Sequence, residues 1–378
     1  MTQAGEALPD DVKMPKITAS DSAADSIQEQ GRADVIRRIC NVLGFEKRYN
    51  LPLFVIFAGA MLGFSLARFE YLDISGNFAD GAVPGEWYWY RQGHYRIGIT
   101  LHLATILPAG FLMVWQFIPK IRHNFILFHR INGYVIIILV FLSNVGALMI
   151  VRRAFGGTLA TQTSVGTLVV ITTVGLTVGY INIKRLQIDQ HRAWMLRSMF
   201  YLGTIISERV IMIVSAMIIS SIQSYFTMFT CDEVAFIVRN DVSDVTAYMR
   251  QNYPACFVTV NNTLSDSILP QNQIAVSANI LNDQTESTGA VFRLTFGSSM
   301  WIAIFLHVVG VELYLSLTTR ESHRLRQVAY QKQMEAGLSQ AGSSGLVRER
   351  FGDVDDWIFH PVERRPLIGE EGHSEVTK

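Results

Sequence analysis

The segment DQHRAWMLRSMFYLGTIISERVIMIV, residues 189–214, passes from charge and imidazole to hydrocarbon within about two turns of helix. Its apolar half is long enough to enter a bilayer, yet Glu208 and Arg209 lie in the middle of it. An ionisable side chain at that depth costs roughly 2.5 to 3.5 kcal/mol on insertion scales. The pair is therefore predicted to serve a function. A structural ion pair that locks neighbouring helices together is the alternative.

The composition points to the same class of protein. The chain has 378 residues, of which 49% are hydrophobic and 17% are charged. That charged fraction is below the roughly 25% of soluble domains, and the apolar residues occur in bilayer-length blocks. The 32 basic and 32 acidic residues leave no net charge to attract nucleic acid, so no nucleic-acid partner is expected. The three cysteines lack zinc-type spacing, and no metal site is predicted.

The predicted fold is all-α, a polytopic transmembrane helix bundle of about six spans. The apolar blocks place the spans at about 51–69, 97–119, 132–151, 164–183, 199–222 and 296–317. A polar arm over 1–50 precedes them, with an apolar helical face near Val35 and Ile39 that suits either the membrane surface or packing on the protein. A loop over 223–295 separates spans five and six, and a polar tail over 319–378 follows.

Lysine and arginine residues predict the orientation. They concentrate in the loops after spans two and four and in the tail, which places both termini in the cytosol. Arg152 and Arg153, on the other side, are the exception. The loop between spans five and six contains Cys231, Cys256 and a glycosylation sequon at Asn261, which favour an oxidising, lumenal compartment. A disulfide, a glycan and residence in the endoplasmic reticulum are predicted.

Glu208 is the predicted catalytic acid. Burial in an apolar span favours the neutral form of a carboxyl group, and a neutral carboxyl can donate a proton. Tyr201 shares its predicted helical face. Glu312 in span six competes for the role, and the same residue is the expected charge partner of Arg209.

Basic and imidazole side chains repeat before spans three and five. Such residues ordinarily fix orientation and touch lipid phosphates, which is the alternative for each taken alone. As a cluster they predict a site for an anionic or phenolic head group, with imidazoles held neutral by the surrounding cations. The predicted substrate-binding residues are His102, Arg122, His129, Arg130, His191, Arg192, Trp194, Arg197 and Tyr201. The run EWYWYRQGHY, 86–95, resembles an interfacial aromatic belt.

Three blocks carry a resemblance to a known family. LHLATILPAGFLMVWQFIPKIR (101–122), FHRINGY (128–134) and DQHRAWMLRS (189–198) resemble an integral-membrane family catalogued as a domain of unknown function. The chain is also similar to the membrane-bound terpene cyclase of the ascofuranone pathway. That resemblance implies cyclisation of an epoxidised prenyl chain on an aromatic meroterpenoid core, without a metal or redox cofactor. The implied partners are a prenylated aromatic small molecule and membrane lipid. No catalytic residue is carried over from either resemblance.

Two other classes of function remain. A b-type haem protein needs histidines facing each other at matched depth, whereas His102 lies near one end of span two and His307 is central in span six. A transporter or other non-enzymatic membrane protein is the third possibility, which six spans without an evident repeat do little to support.

Overall fold

The computed structural model describes residues 30–31, 34–47, 49–260, 263–338, 341–342, 352 and 357–359. Its described part is mostly helical, and six helices are long and apolar enough to cross a membrane, which confirms the predicted fold class. These spans one to six are Asn50–Leu72, Gly93–Gln116, Ile126–Ile150, Leu159–Lys184, Ile188–Ile222 and Thr285–Leu317. The sequon residue Asn261 lies outside the described residues, so its glycan stays a prediction.

Spans five and six are longer than the sequence predicted. Span five has 35 residues and span six has 33, each about 50 Å of helix rise against a hydrocarbon layer of about 30 Å. Predicted boundaries stopped at charged residues, but a helix continues past the bilayer wherever its polar side chains reach water or protein partners. The segment 189–197 is consequently the first part of span five and not a loop.

Span five is broken at Gly203. Its two halves are Ile188–Leu202 and Thr204–Ile222, and the Gly203 amide donates to the carbonyls of Met199 and Phe200. Tyr201 lies in the first half and Glu208 in the second, and both side chains are buried. In the second half, the fully buried positions recur every four residues. They are Thr204, Glu208, Met212, Ala216 and Ser220.

The spans form two groups. Spans one, two and three pack together, and spans four, five and six pack together, with a shared core that includes Met113, Ile136, Leu176 and Met199. Glycines permit the closest approach, since a Cβ on Gly146 would lie 2.7 Å from the His102 amide nitrogen. The outer faces are apolar and exposed, as expected for helices that contact lipid. On span five this face consists of Val210, Ile213, Val214, Met217 and Ile218.

One end of the bundle, here called the basic end, contains the connections after spans two and four. A short helix, Pro119–Asn124, joins spans two and three there. Residues 34–43 are helical, with the Val35, Ile36 and Val42 side chains exposed. The helix Thr319–Glu335 follows span six and packs on the first half of span five.

The opposite end, here called the disulfide end, has the short helices Asn77–Gly81 and Glu86–Tyr90 and the 3-10 turn Ala154–Gly157. The loop between spans five and six is a folded unit and not the plain polar segment predicted. Its strands are β1 (Phe226–Thr230), β2 (Phe257–Val260), β3 (Thr263–Ile268) and β4 (Gln273–Ser277), paired antiparallel as β1–β4 and β2–β3. Its helices are Cys231–Val238, Val245–Asn252 and the 3-10 turn Pro254–Cys256.

This folded unit, the disulfide domain, is built on the ends of two spans. Its core includes Ala216 from span five and Ala290 and Val291 from span six. Cys231 and Cys256 form a disulfide inside that core, with their Cα atoms 5.7 Å apart. Span six therefore begins inside the disulfide domain, which explains its early start.

Candidate functional site

Glu208 is fully buried in the second half of span five, whose opposite face is apolar and exposed. Within the part of the chain that the structure describes, neither of its carboxylate oxygens takes part in a hydrogen bond. Its one ion pair there joins Oε2 to the Nε of Arg209 at 3.5 Å. A buried carboxyl group normally has several hydrogen-bond partners, so this one is left with lone pairs to offer a ligand.

Arg209 lies against an aromatic pair. Phe155 and Phe296 stack with ring centroids 3.8 Å apart and planes 5° from parallel. The Arg209 guanidinium carbon lies 5.0 Å from the Phe155 centroid and 5.8 Å from the Phe296 centroid. These rings belong to an apolar cluster with Met212, which is one helical turn beyond Glu208. The carboxyl group thus adjoins an aromatic and aliphatic region.

The predicted pairing of Arg209 with Glu312 is wrong. Glu312 accepts two hydrogen bonds from Arg197, at 2.5 and 2.9 Å, and its side chain is 48% exposed. Spans five and six run antiparallel, so a residue near the end of span six meets the first half of span five. Glu312 is therefore neither desolvated nor at the depth of Glu208, which weakens it as the competing acid.

Glu86 is a second buried carboxyl that the sequence did not reveal. Its Oε1 accepts from the Phe155 amide at 3.1 Å and from the Tyr90 hydroxyl at 3.4 Å. Burial raises the pKa of Glu86, partly offset by the Phe155 amide and by the charge of Arg209. In the sequence, the only indication was a single acidic residue at the start of the aromatic run 86–95. The interpretation of that run as an interfacial aromatic belt gave this residue no role.

Phe155 has a left-handed backbone, with φ 45° and ψ 47°. A bulky residue in that region costs of order 1–3 kcal/mol and persists only where its surroundings fix it. Here the hydrogen bond to Glu86 and the ring stack on Phe296 supply that constraint. The turn after span three is thereby held over Arg209.

His307 lies at the break in span five. Its Nδ1 is 2.6 Å from the Phe200 carbonyl oxygen and its Nε2 is 2.8 Å from the Ser207 hydroxyl. Both ring nitrogens are engaged, so this histidine has no free lone pair for a haem iron. His102 is likewise bound through Nδ1 to Ser143 of span three. One member of the histidine pair that the haem alternative requires, His307, is therefore engaged at both ring nitrogens.

The basic end brings several predicted binding residues together. His129 lies within Coulomb range of Arg122, Arg130 and His191. No described group hydrogen-bonds its buried Nδ1. His191 is fixed by the Gly179 carbonyl, 2.9 Å from its Nδ1. The structure thus gathers these imidazoles beside basic side chains.

The remaining predicted binding residues divide between that end and the bundle interior. Arg192 donates to the Thr318 hydroxyl at 3.2 Å, which ties spans five and six together. The Arg197 guanidinium lies 5.1 Å from the Trp194 ring centroid, and Tyr201 is buried beside the Arg197–Glu312 pair. Across the described ranges, no group of three or more histidine, cysteine, aspartate and glutamate residues could hold a metal ion.

The fold and these spans define a multi-pass membrane protein with a buried acid in its fifth span. Residues 99–242 match the profile of a family described as Predicted membrane protein (DUF2306). The chain is also similar to a protein of Aspergillus versicolor named Ava biosynthesis cluster protein G. That relative is 24% identical, over 76% of this chain and 94% of its own length. No solved structure matches the chain.

Proposed function

We propose that this protein is a membrane-embedded terpene cyclase of secondary metabolism. It would isomerise a meroterpenoid by opening an epoxide on the prenyl chain with acid and closing a ring. The observation that carries the proposal is Glu208, fully buried beside an apolar aromatic region, with no hydrogen bond to either oxygen from any described residue. Similarity to a protein named for a biosynthesis cluster supports the metabolic setting.

The chemistry requires a neutral carboxyl group in a dry environment. Protonation of the epoxide oxygen breaks a C–O bond and develops an alkyl cation, which water would capture in an open site. The face of span five opposite Glu208 carries exposed apolar residues. The Phe155–Phe296 stack contacts Arg209, the residue that follows Glu208 in the chain. Burial favours the neutral form of Glu208, whereas the Arg209 charge 3.5 Å away favours the carboxylate, so the proposal requires the effect of burial to be the larger. The aromatic rings, which can stabilise positive charge, are in contact with Arg209.

The basic end is proposed to bind the polar head of the substrate. Arg197 and Glu208 are eleven residues apart on span five, roughly 16 Å of helix rise. A phenolic head beside the basic and imidazole groups would leave an extended prenyl chain pointing along span five toward Glu208. We place this end in the cytosol and the disulfide end in the lumen of the endoplasmic reticulum, because the basic loops and the cystine favour those sides.

The test is co-expression with candidate epoxy-meroterpenoids and mass analysis for an isomer of unchanged mass. Glu208→Gln keeps the size of the side chain but cannot donate the proton, so turnover should fall by about two to four decades. Glu70→Gln, at an exposed carboxyl beyond the first helix of span one, is the matched control and should keep wild-type turnover. Near wild-type turnover in a well-expressed Glu208→Gln protein would exclude this acid. Loss in Glu312→Gln alone would move the role to span six.

A further inference from the structure

Ser207 and His307 form a hydrogen-bonded pair in which the surroundings fix which group donates and which accepts. The Phe200 carbonyl can only accept, so the His307 Nδ1 must carry the proton in their 2.6 Å contact. The neutral ring then presents an unprotonated Nε2, and the Ser207 hydroxyl donates to it across 2.8 Å. This is the arrangement of an oriented base and the hydroxyl that it can activate.

The break in span five builds this pair. Gly203 ends the first helix, and the Phe200 carbonyl accepts both the Gly203 amide and the His307 Nδ1. A Cβ at Gly203 would lie 3.2 Å from the His307 Cε1, so a glycine leaves room for the ring. His307 is 8% exposed, and the hydroxyl of Thr204, which follows Gly203 in the chain, is buried with no hydrogen bond from a described residue.

Ser207 is the residue before Glu208 on the same helix. Consecutive residues point about 100° apart, so the two side chains project from neighbouring faces of the same helix. An acid-initiated cyclisation needs two such groups. One gives a proton to the epoxide oxygen, and the other removes a proton from the cation that remains after ring closure.

We propose that Ser207 and His307 together accept the proton that ends the cyclisation, an inference that rests on the proposed function. A C–H bond next to the final cation breaks, and its electron pair forms the product double bond. The released proton passes to the Ser207 oxygen as the serine proton moves to the His307 Nε2. Glu208 is left as carboxylate and His307 as imidazolium, and return of one proton restores both. The product remains an isomer of the substrate.

The experiment compares product identity as well as rate. His307→Asn keeps a donor near the Phe200 carbonyl but lacks the second nitrogen, and Ser207→Ala lacks the hydroxyl. Both should still consume the epoxide. The ratio of the native product to water-captured products and other double-bond isomers should fall about a hundredfold, in keeping with the usual worth of a general base.

Ser207→Thr retains a hydroxyl and should restore much of the native ratio. Ser221→Ala is the matched control, because this exposed serine of the same helix bonds only the Met217 carbonyl among the contacts that the structure gives it. A wild-type protein that consumes no epoxide would overturn the proposed function and this inference with it. A wild-type cyclase whose His307→Asn and Ser207→Ala variants yield the native product at the native rate would overturn the inference alone. Complete loss of epoxide consumption in both variants would also overturn it, since the pair would then act before the cation forms.

Discussion

Arg209 lies near two buried acids, Glu208 and Glu86. Glu208 lies 3.5 Å from its Nε, and the charge of Arg209 also acts on Glu86. Only the acid of this contact is fully buried, because 33% of the Arg209 side chain is exposed. A structural role for the Glu208–Arg209 contact competes with the proposed role of Glu208 as an acid, because a nearby cation favours the carboxylate and the proposal needs the neutral carboxyl group.

Glu86 predicts a specific dependence of stability on pH. Because burial raises its pKa above 4.5 in the folded state, folding favours the protonated form. That contribution to stability is fully present below pH 4.5 and is lost as the pH rises through the folded-state pKa. Glu86→Gln stays neutral at every pH. The melting temperature of the variant minus that of the wild type should therefore increase from pH 4 to pH 8, measured on purified protein in one detergent. A constant difference across that range would contradict the assignment.

The basic end predicts a binding phenotype. His129→Ala and Arg192→Ala should mainly raise KM and leave kcat within a few fold, since contacts made equally in ground and transition states contribute uniform binding. Steady-state kinetics on an epoxy-meroterpenoid that the co-expression assay shows to be converted measures this. Loss of kcat at unchanged KM would instead make these residues participants in the chemistry. Arg37→Ala, exposed on the helix over 34–43, is a suitable basic control.

The sequence alone identified Glu208 as a candidate site residue, because an acidic residue inside an apolar block is unusual. The sequence did not identify Glu86 or the Arg197–Glu312 pair, because both depend on which helices pack together and on the relative axial position of those helices. Contacts between residues on different spans depend on how the helices pack. Opposite charge alone led to the prediction that Arg209, and not Arg197, is the partner of Glu312.

Among the helices and strands, span five shows most clearly which structural features the pattern of hydrophobicity does not predict. Hydropathy located the span but not the break at Gly203, because a single glycine in an apolar block is equally compatible with close packing. At the break, His307 from span six contacts the Phe200 carbonyl, a partner that hydropathy does not reveal. The secondary structure of 223–284 was also missed, since short strands and helices closed by a disulfide lack a long periodic signal.

The disulfide domain should depend on its cystine. Cys231 and Cys256 are 25 residues apart, and closing such a loop stabilises the folded state by roughly 3 kcal/mol in the chain-entropy model. Alkylation of the denatured, unreduced protein should label Cys40 alone, the free cysteine of the structure. Cys231→Ala with Cys256→Ala should make the domain sensitive to protease at lower temperature. Labelling of all three cysteines in the wild type would contradict this pairing.

At the scale of the whole molecule, an even number of spans, six, places the segments before span one and after span six on the same side of the membrane. The helix over 34–43 and the helix Thr319–Glu335 both lie at the basic end, opposite the disulfide domain. Basic loops remain in the cytosol during insertion, whereas disulfides form in the lumen. The charge pattern and the cystine therefore favour the same orientation independently.

Glycosylation tests that orientation directly. The sequon Asn261-Asn262-Thr263 lies in the disulfide domain's stretch of sequence, so a chain expressed in a eukaryotic cell should receive one N-glycan there. Endoglycosidase should increase its gel mobility, and Asn261→Gln should abolish the shift. Asn262→Gln keeps the acceptor asparagine and Thr263, and serves as the matched control. An epitope at the carboxyl terminus should be reached by antibody when only the plasma membrane is permeabilised. An unglycosylated wild type whose carboxyl-terminal epitope is protected would reverse the topology, and it would place the proposed substrate-binding end in the lumen.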